Sequence, residues 1–292
     1  LLVTQLADLH DARRTSVLHW KYCREAKVYL ELSLYEAAAE TANAGLKDAV
    51  EREQLFCEVQ LRELLREIYK NLDRKQYREE IAENEYKAEM AVKKLETLIA
   101  YTHARDRMLD HHKKYRVSDS KMVAKGIKEV MATKEMGNEQ LADSTPARIL
   151  LHSTKSLHAT SCKQPKKAVA HLECMVKEWE SNRALLDLHP HLYRRTLANL
   201  ISKLSIVGRT DEVQFYFDRM QNVKAEGRRA EVLKFCDVEL QHQSYHLNCG
   251  HPEKVLERVV ELNNGLRRYG KSLPNDFNVA LRYNLGIALL LT

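Results

Sequence analysis

Four residues near the end of the chain have types and spacing that could hold a metal ion. His242 and His246 are four apart, so on a helix they share one face, and Cys249 and His251 follow within the next turn or two. Imidazole and thiolate are ligands that zinc favours, and four of them would complete a tetrahedral structural site. A hydrolytic role fails at the next position. A zinc-protease helix carries Glu directly after its first ligand histidine, and this chain carries Gln243, which cannot act as a base. Ordinary packing and surface roles account for the same residues, so the expectation is no metal, no cofactor and no enzyme.

The remaining chemistry-bearing residues support that expectation. His111–His112 and the His189–Pro190–His191 run fall at helix ends, where capping and solvation explain them. No GxSxG elbow presents a nucleophile, and neither GxxxxGK[ST] nor GxGxxG is present to cradle a phosphate chain. Carboxylates are numerous, but their helical spacing places nearly all of them on wet faces. Basic residues cluster at Lys113–Lys114–Arg116, Lys163–Lys166–Lys167, Arg194–Arg195 and Arg228–Arg229. Several of these sit at helix ends, and stacking could align them into an RNA-binding edge. Against this, the net charge of +6 comes from 47 basic and 41 acidic residues mixed along most of the chain, as on any solvated helical surface.

The elements that must position these residues are helices. Of 292 residues, 44% are apolar and 30% charged, with nine glycines and five prolines. Few helix breakers, abundant Ala, Leu, Glu, Lys and Arg, and no alternating strand-like run make an all-α protein the expectation. The six cysteines at 23, 57, 162, 174, 236 and 249 form no CxxC pair, which suits a reducing, cytoplasmic setting. No apolar run approaches the ~18 residues of a membrane span. The chain begins at Leu1 and stops in the apolar run Leu285–Leu291, so both ends read as cut from something longer.

Helix boundaries follow from punctuation. Each of the five prolines (146, 165, 190, 252 and 274) precedes or opens a helical stripe, where a missing N–H does no harm. The spacing predicts hairpins of 147–162 with 165–180, 191–207 with 210–225, and 229–249 with 252–268, then a helix from 275. Gly208 and Gly250 fall in the turns. Aligning the core position of each first helix gives residues 156, 201, 243 and 286, spaced by 45, 42 and 43. Earlier in the chain, residues 52–72 read as one helix, 76 to about 115 as two helices broken near Tyr86–Val92, and Ser118–Ser120 as the cap of a helix over about 120–133.

The best-formed hairpin is Tyr22–Asp48. Small residues (Ala26, Ala38, Ala42, Gly45) recur where two backbones must touch, and large ones (Tyr22, Tyr29, Tyr35, Leu46) where side chains must fill the gaps. This spacing resembles the tetratricopeptide repeat, with Tyr22 in the usual Trp place. The family's Pro after the second helix is missing, which points to units longer than the standard 34 residues. The best-matching units are about 15–50, 147–180, 191–225, 229–268 and 275–292.

The resemblance implies a single domain over 1–292, a right-handed superhelical solenoid of stacked antiparallel helix hairpins. It also implies a non-catalytic scaffold that binds a protein or peptide along a concave surface of first-helix positions. Carried onto this chain, those positions are Trp20, Cys23, Lys27, Leu30 and Glu31 in the first unit. In the later one they are Arg195, Ala198, Ser202, Ser205 and Ile206. Cys23 and Lys27 do not reproduce the family's clamp for a peptide carboxylate. The alternatives are an RNA-binding array, to which the segment over residues 195–221 bears a faint pentatricopeptide likeness, and a ligand-sensing module controlling an effector outside this sequence.

Overall fold

The same tight connection closes five helices of this chain. After each, an amide N–H donates to the carbonyl five residues back: Leu34 to Tyr29, Gln54 to Ala49, Gln164 to Ala159, Arg209 to Leu204 and His251 to His246, at 2.8–3.0 Å. The residue before each donor has positive φ, at Ser33 (60°), Glu53 (49°), Lys163 (56°), Gly208 (78°) and Gly250 (75°). This is the Schellman arrangement, which satisfies carbonyls left open at a helix C-terminus. Glycine takes that conformation freely at 208 and 250. Ser33, Glu53 and Lys163 adopt it against a steric penalty of roughly 1–2 kcal/mol each.

The computed structural model describes residues 15–72, 75–115 and 121–292, with side chains from residue 20 onward except 114–115 and 121–123. Every long element is α-helical and no strand occurs among the described residues. The helices are α1 (Thr15–Glu31), α2 (Tyr35–Glu51), α3 (Leu55–Tyr69), α4 (Arg78–Tyr115) and α5 (Lys121–Met131). The short α6 (Lys134–Gly137) is followed by α7 (Thr145–Ser161), α8 (Pro165–Ser181), α9 (Arg183–Leu188) and α10 (Pro190–Val207). The last five are α11 (Val213–Asn222), α12 (Arg228–Asn248), α13 (Pro252–Glu257), α14 (Val259–Tyr269) and α15 (Asn275–Leu291). The prolines at 146, 165, 190 and 252 stand in the first turns of α7, α8, α10 and α13, and Pro274 immediately precedes α15. Among the described residues no helix is long and apolar enough to cross a membrane, and all six cysteines are free thiols.

Packing divides into two compact units. The first is formed by the described part of Leu1–Asp110 with Ala124–Leu151 and Asn182–Leu188. Its core joins Ala26, Ala38 and Ala42 to Leu61, Leu65 and Ile68 across α1–α3. The small residues act as their spacing requires, since a Cβ on Gly45 would lie 2.6 Å from the Cβ of Tyr22. The second unit is His111–Val123, His152–Ser181 and His189–Thr292. One of its cores is built from Val232 and Cys236 of α12, Leu262 and Leu266 of α14, and Leu281 of α15.

Several expectations are corrected. Residues 78–115 form one unbroken helix of 38 residues rather than two. The stretch 86–92 contains no Gly or Pro and is rich in good helix formers (Lys, Ala, Glu, Met), and the rod is buried on either side of it at Asn84 and Tyr101. Tyr29 does not fill the hairpin core; it is 37% exposed, while Tyr22, Tyr35 and Leu46 do pack against the core. The helix expected over 252–268 is interrupted at Arg258 (φ −101°), where the side chain turns to the buried Glu239. Of the four aligned core positions, Ser156, Ile201 and Gln243 are buried, but Gly286 has open space around its missing side chain. The expected cap at Ser118–Ser120 and the segment Leu1–Arg14 lie outside the described residues.

Candidate functional site

The first-helix stripes expected to form a binding surface face outward in both units. On α1, Trp20 is 59% exposed, Lys27 and Glu31 are exposed, and Cys23 and Leu30 are half-buried against the core beneath them. On α10, Arg195, Ser202 and Ile206 are exposed and Ala198 and Ser205 are half-buried. The opposite stripe of α10 (Leu197, Leu200, Ile201, Leu204) is wholly buried. The period of α10 thus separates a buried stripe from a partly exposed one. Ser202 is also engaged across the surface, accepting from Gln241 Nε2 at 3.1 Å and donating to the Ala198 carbonyl.

The first unit contains a cleft that no sequence motif announces. It encloses about 360 Å³ and runs between α3 and α4. Leu55, Glu58 and Arg62 supply one wall, and Lys87, Met90, Ala91 and Lys94 the other, each set at helical spacing. Arg62 is buried and donates through Nε and Nη2 to Glu58 Oε1 at 2.9 and 2.7 Å. Asn84 of α4 donates to the Arg62 carbonyl at 3.0 Å, fixing the separation of the walls. Lys87 is engaged by Glu83, whereas Lys94 makes no ion pair among the described residues. Apolar Val50 and Met90 stand exposed at the mouth. Of the twelve lining residues seven are charged, Asp143 and Arg148 among them, and four (Val50, Leu55, Met90 and Ala91) are apolar, so the cleft offers apolar contacts inside a charged lining.

Glu53 closes one end of that cleft and explains why its strained turn persists. Its Oε2 accepts from the Thr145 N–H at 2.6 Å, and its Oε1 accepts from Thr145 Oγ1 at 2.6 Å and Asn182 Nδ2 at 2.9 Å. Asn182 in turn accepts from the Leu185 N–H, so one carboxylate serves the starts of α7 and α9. Helix N-termini present free N–H groups and a partial positive charge, the environment that suits a carboxylate.

In the second unit, chemistry gathers along α12. The rings of His242 and His246 are 4.4 Å apart, beside Phe217 and Tyr245. Burial, reinforced by His246, pulls the His242 imidazole down to about 4, and burial with His251 lowers His246, so both are neutral at pH 7. The proposed ligand quartet is dispersed among other partners. Cys249 hydrogen-bonds Tyr245, and His251 sits 3.3 Å from Glu253. Among the described residues no three His, Cys, Asp or Glu side chains are arranged to hold a metal.

A second group lies where α10 meets α12. Arg194 is 1% exposed, and its Nε lies 3.3 Å from Asp237 Oδ2. Its Nη1 and Nη2 have no hydrogen-bond partner among the described residues. The sequence presents Arg194–Arg195 as a surface pair, yet Arg194 falls on the stripe 194, 197, 201, 204. That spacing is the signal by which its burial could have been read. Comparison with known proteins gives no counterpart: no family model, no curated protein and no solved structure matches the chain.

Proposed function

We propose that this chain is a non-catalytic helical-repeat scaffold, its hairpins stacked in the manner of tetratricopeptide units, that binds a protein or peptide segment. The observation that carries this reading is the cleft between α3 and α4. Val50 and Met90 are exposed among its lining residues, and Phe56, outside the lining, stands 56% exposed in the first turn of α3. Trp20 adds a large amphipathic side chain on α1, of the kind that dominates protein interfaces. Soluble surfaces seldom concentrate bulky apolar groups without a partner to cover them. Sequence-adjacent helix pairs closed by a repeated turn support the array itself. Recognition would then be a matter of apolar anchors entering the cleft, with Lys94 and the paired Arg62 orienting polar groups of the partner.

The test is selection of peptides on the intact chain from a random library, followed by binding titrations with Met90→Ala and Val50→Ala. Selected peptides should lose at least tenfold in affinity on one of these substitutions, consistent with removal of an anchor worth ~1.4 kcal/mol or more. Binders indifferent to both substitutions would remove the cleft from consideration. Retention of RNA alone, falling steeply with salt, would favour the basic-edge alternative instead.

A further inference from the structure

We infer that Cys162, in the turn between α7 and α8, is a thiol-modification site that exchanges with small anionic disulfides, with His158 taking the thiol proton. Three observations meet there. Cys162 is the one exposed cysteine of the six; the other five are half-buried or buried. Its Sγ lies 3.4 Å from His158 Nε2, one turn back at the end of α7, within hydrogen-bonding reach for sulfur. A nucleophile and a base at that separation form the pair by which thiols are activated.

The third observation is charge. Lys163, Lys166 and Lys167 stand exposed in the same turn, and none of them makes an ion pair among the described residues. From Ser144 to Leu172 the chain carries no Asp or Glu. The negative end of α7 is blunted, because the carbonyls of His158, Ala159 and Thr160 accept from the N–H groups of Cys162, Gln164 and Lys163. Reactive cysteines occupy such exposed, electropositive settings, whereas buried ones are inert. Burial, with Lys167, lowers the His158 pKa, which keeps the imidazole in the neutral form that accepts a proton at pH 7. His112 reaches the same turn from the end of α4, its Nδ1 2.9 Å from Ser161 Oγ. In the exchange the Cys162 sulfur attacks one sulfur of the disulfide as its proton passes to His158 Nε2. The S–S bond breaks, a mixed disulfide forms on Cys162, and the released thiolate takes up the proton; the disulfide is the oxidant. The lysines select the reactant, drawing in a disulfide that carries carboxylates and repelling one that carries ammonium groups.

The experiment treats the native whole chain, at neutral pH and low ionic strength, with oxidised glutathione (an anionic disulfide) or cystamine (a cationic one). The modified cysteine is mapped by mass spectrometry, and each rate is normalised to that of the same disulfide with mercaptoethanol. Cys162 should take the first equivalent. Oxidised glutathione should react there several-fold faster than cystamine, and the difference should shrink in ~1 M salt, where charges are screened beyond ~3 Å. His158→Gln should slow the reaction at Cys162 about tenfold, less than the ~10²-fold or more supplied by a base enclosed in an active site. That loss should fade above about pH 8.5, where a free thiol ionises unaided, which a packing defect would not produce. Lys166→Glu combined with Lys167→Glu, both exposed, should invert the preference between the two disulfides. First modification at another cysteine, a His158→Gln rate equal to wild type at neutral pH, or a disulfide preference that is absent or survives the lysine changes would overturn the site.

Discussion

Glu53 is half-buried and Arg194 fully buried, and the protein treats these two charged side chains in opposite ways. Glu53 occupies a strained backbone position, yet each of its oxygens accepts a hydrogen bond and both helix starts it serves are satisfied. Arg194 lies in an unstrained helix but has one long contact to a carboxylate and two nitrogens without a partner. Strain persists where surrounding contacts over-determine it, and Glu53 meets that condition. A buried, incompletely paired charge adds little stability. The comparison separates a fully satisfied charge from an incompletely paired one.

The sharpest way to break that contrast is Asp237→Ala. It removes the one acceptor that Arg194 has among the described residues and should lower stability in urea by about 3–4 kcal/mol. Adding Arg194→Met to it should recover most of the loss, because a buried pair replaced by apolar groups is close to neutral. No recovery in the double variant would show that Arg194 is held by contacts other than Asp237. At the other site, Glu53→Gln keeps the turn and loses the charge-assisted bonds, with an expected loss of about 2 kcal/mol by the same measurement. Glu53→Gly should be more stable than Glu53→Ala by about 1 kcal/mol, the relief of the left-handed strain.

Acid should distinguish the two units next. His242 titrates near 4 in the folded chain against an unfolded value of 6.5. The unfolded state therefore binds the extra proton between these pH values, and stability falls as pH drops from about 6.5 to 4. Burial pushes the Asp237 and Glu239 carboxyls up, and their protonation as pH falls acts in the opposite direction. The difference between wild type and His242→Phe isolates the histidine, with a span of roughly 1–2 kcal/mol after allowing for solvent screening. Parallel pH profiles for the two proteins would refute this assignment. The smallest effects belong to the exposed turns: Ser33→Gly and Lys163→Gly should each gain about 0.5–1 kcal/mol in melting experiments, since neither turn has Glu53's carboxylate network to keep.

Much of the helical order was legible in advance. Prolines marked the starts of α7, α8, α10, α13 and α15, and Gly208 and Gly250 marked turns, because both residues act through their own covalent geometry. The turns at Ser33, Glu53 and Lys163 carry no such mark, since their conformation is stabilised by hydrogen bonds and packing rather than by the residue itself. The break expected near Tyr86–Val92 was an error of the same kind: sparse apolar spacing suggested an end that local propensity never required. Tyr29 was assigned inward by pattern, but the core of the hairpin is completed by alanines and by Tyr22 and Tyr35.

Helical class, most helix boundaries, the small residues at close approaches and the outward stripes of α1 and α10 follow from the sequence alone, because each depends on steric rules acting over a few residues. The cleft between α3 and α4, the reach of Glu53 to Thr145 and Asn182, and the burial of Arg194 beside Asp237 were decided only by the tertiary structure. They join residues 92, 129 and 43 positions apart, and whether such a charge is satisfied depends on which distant groups the folded chain places around it.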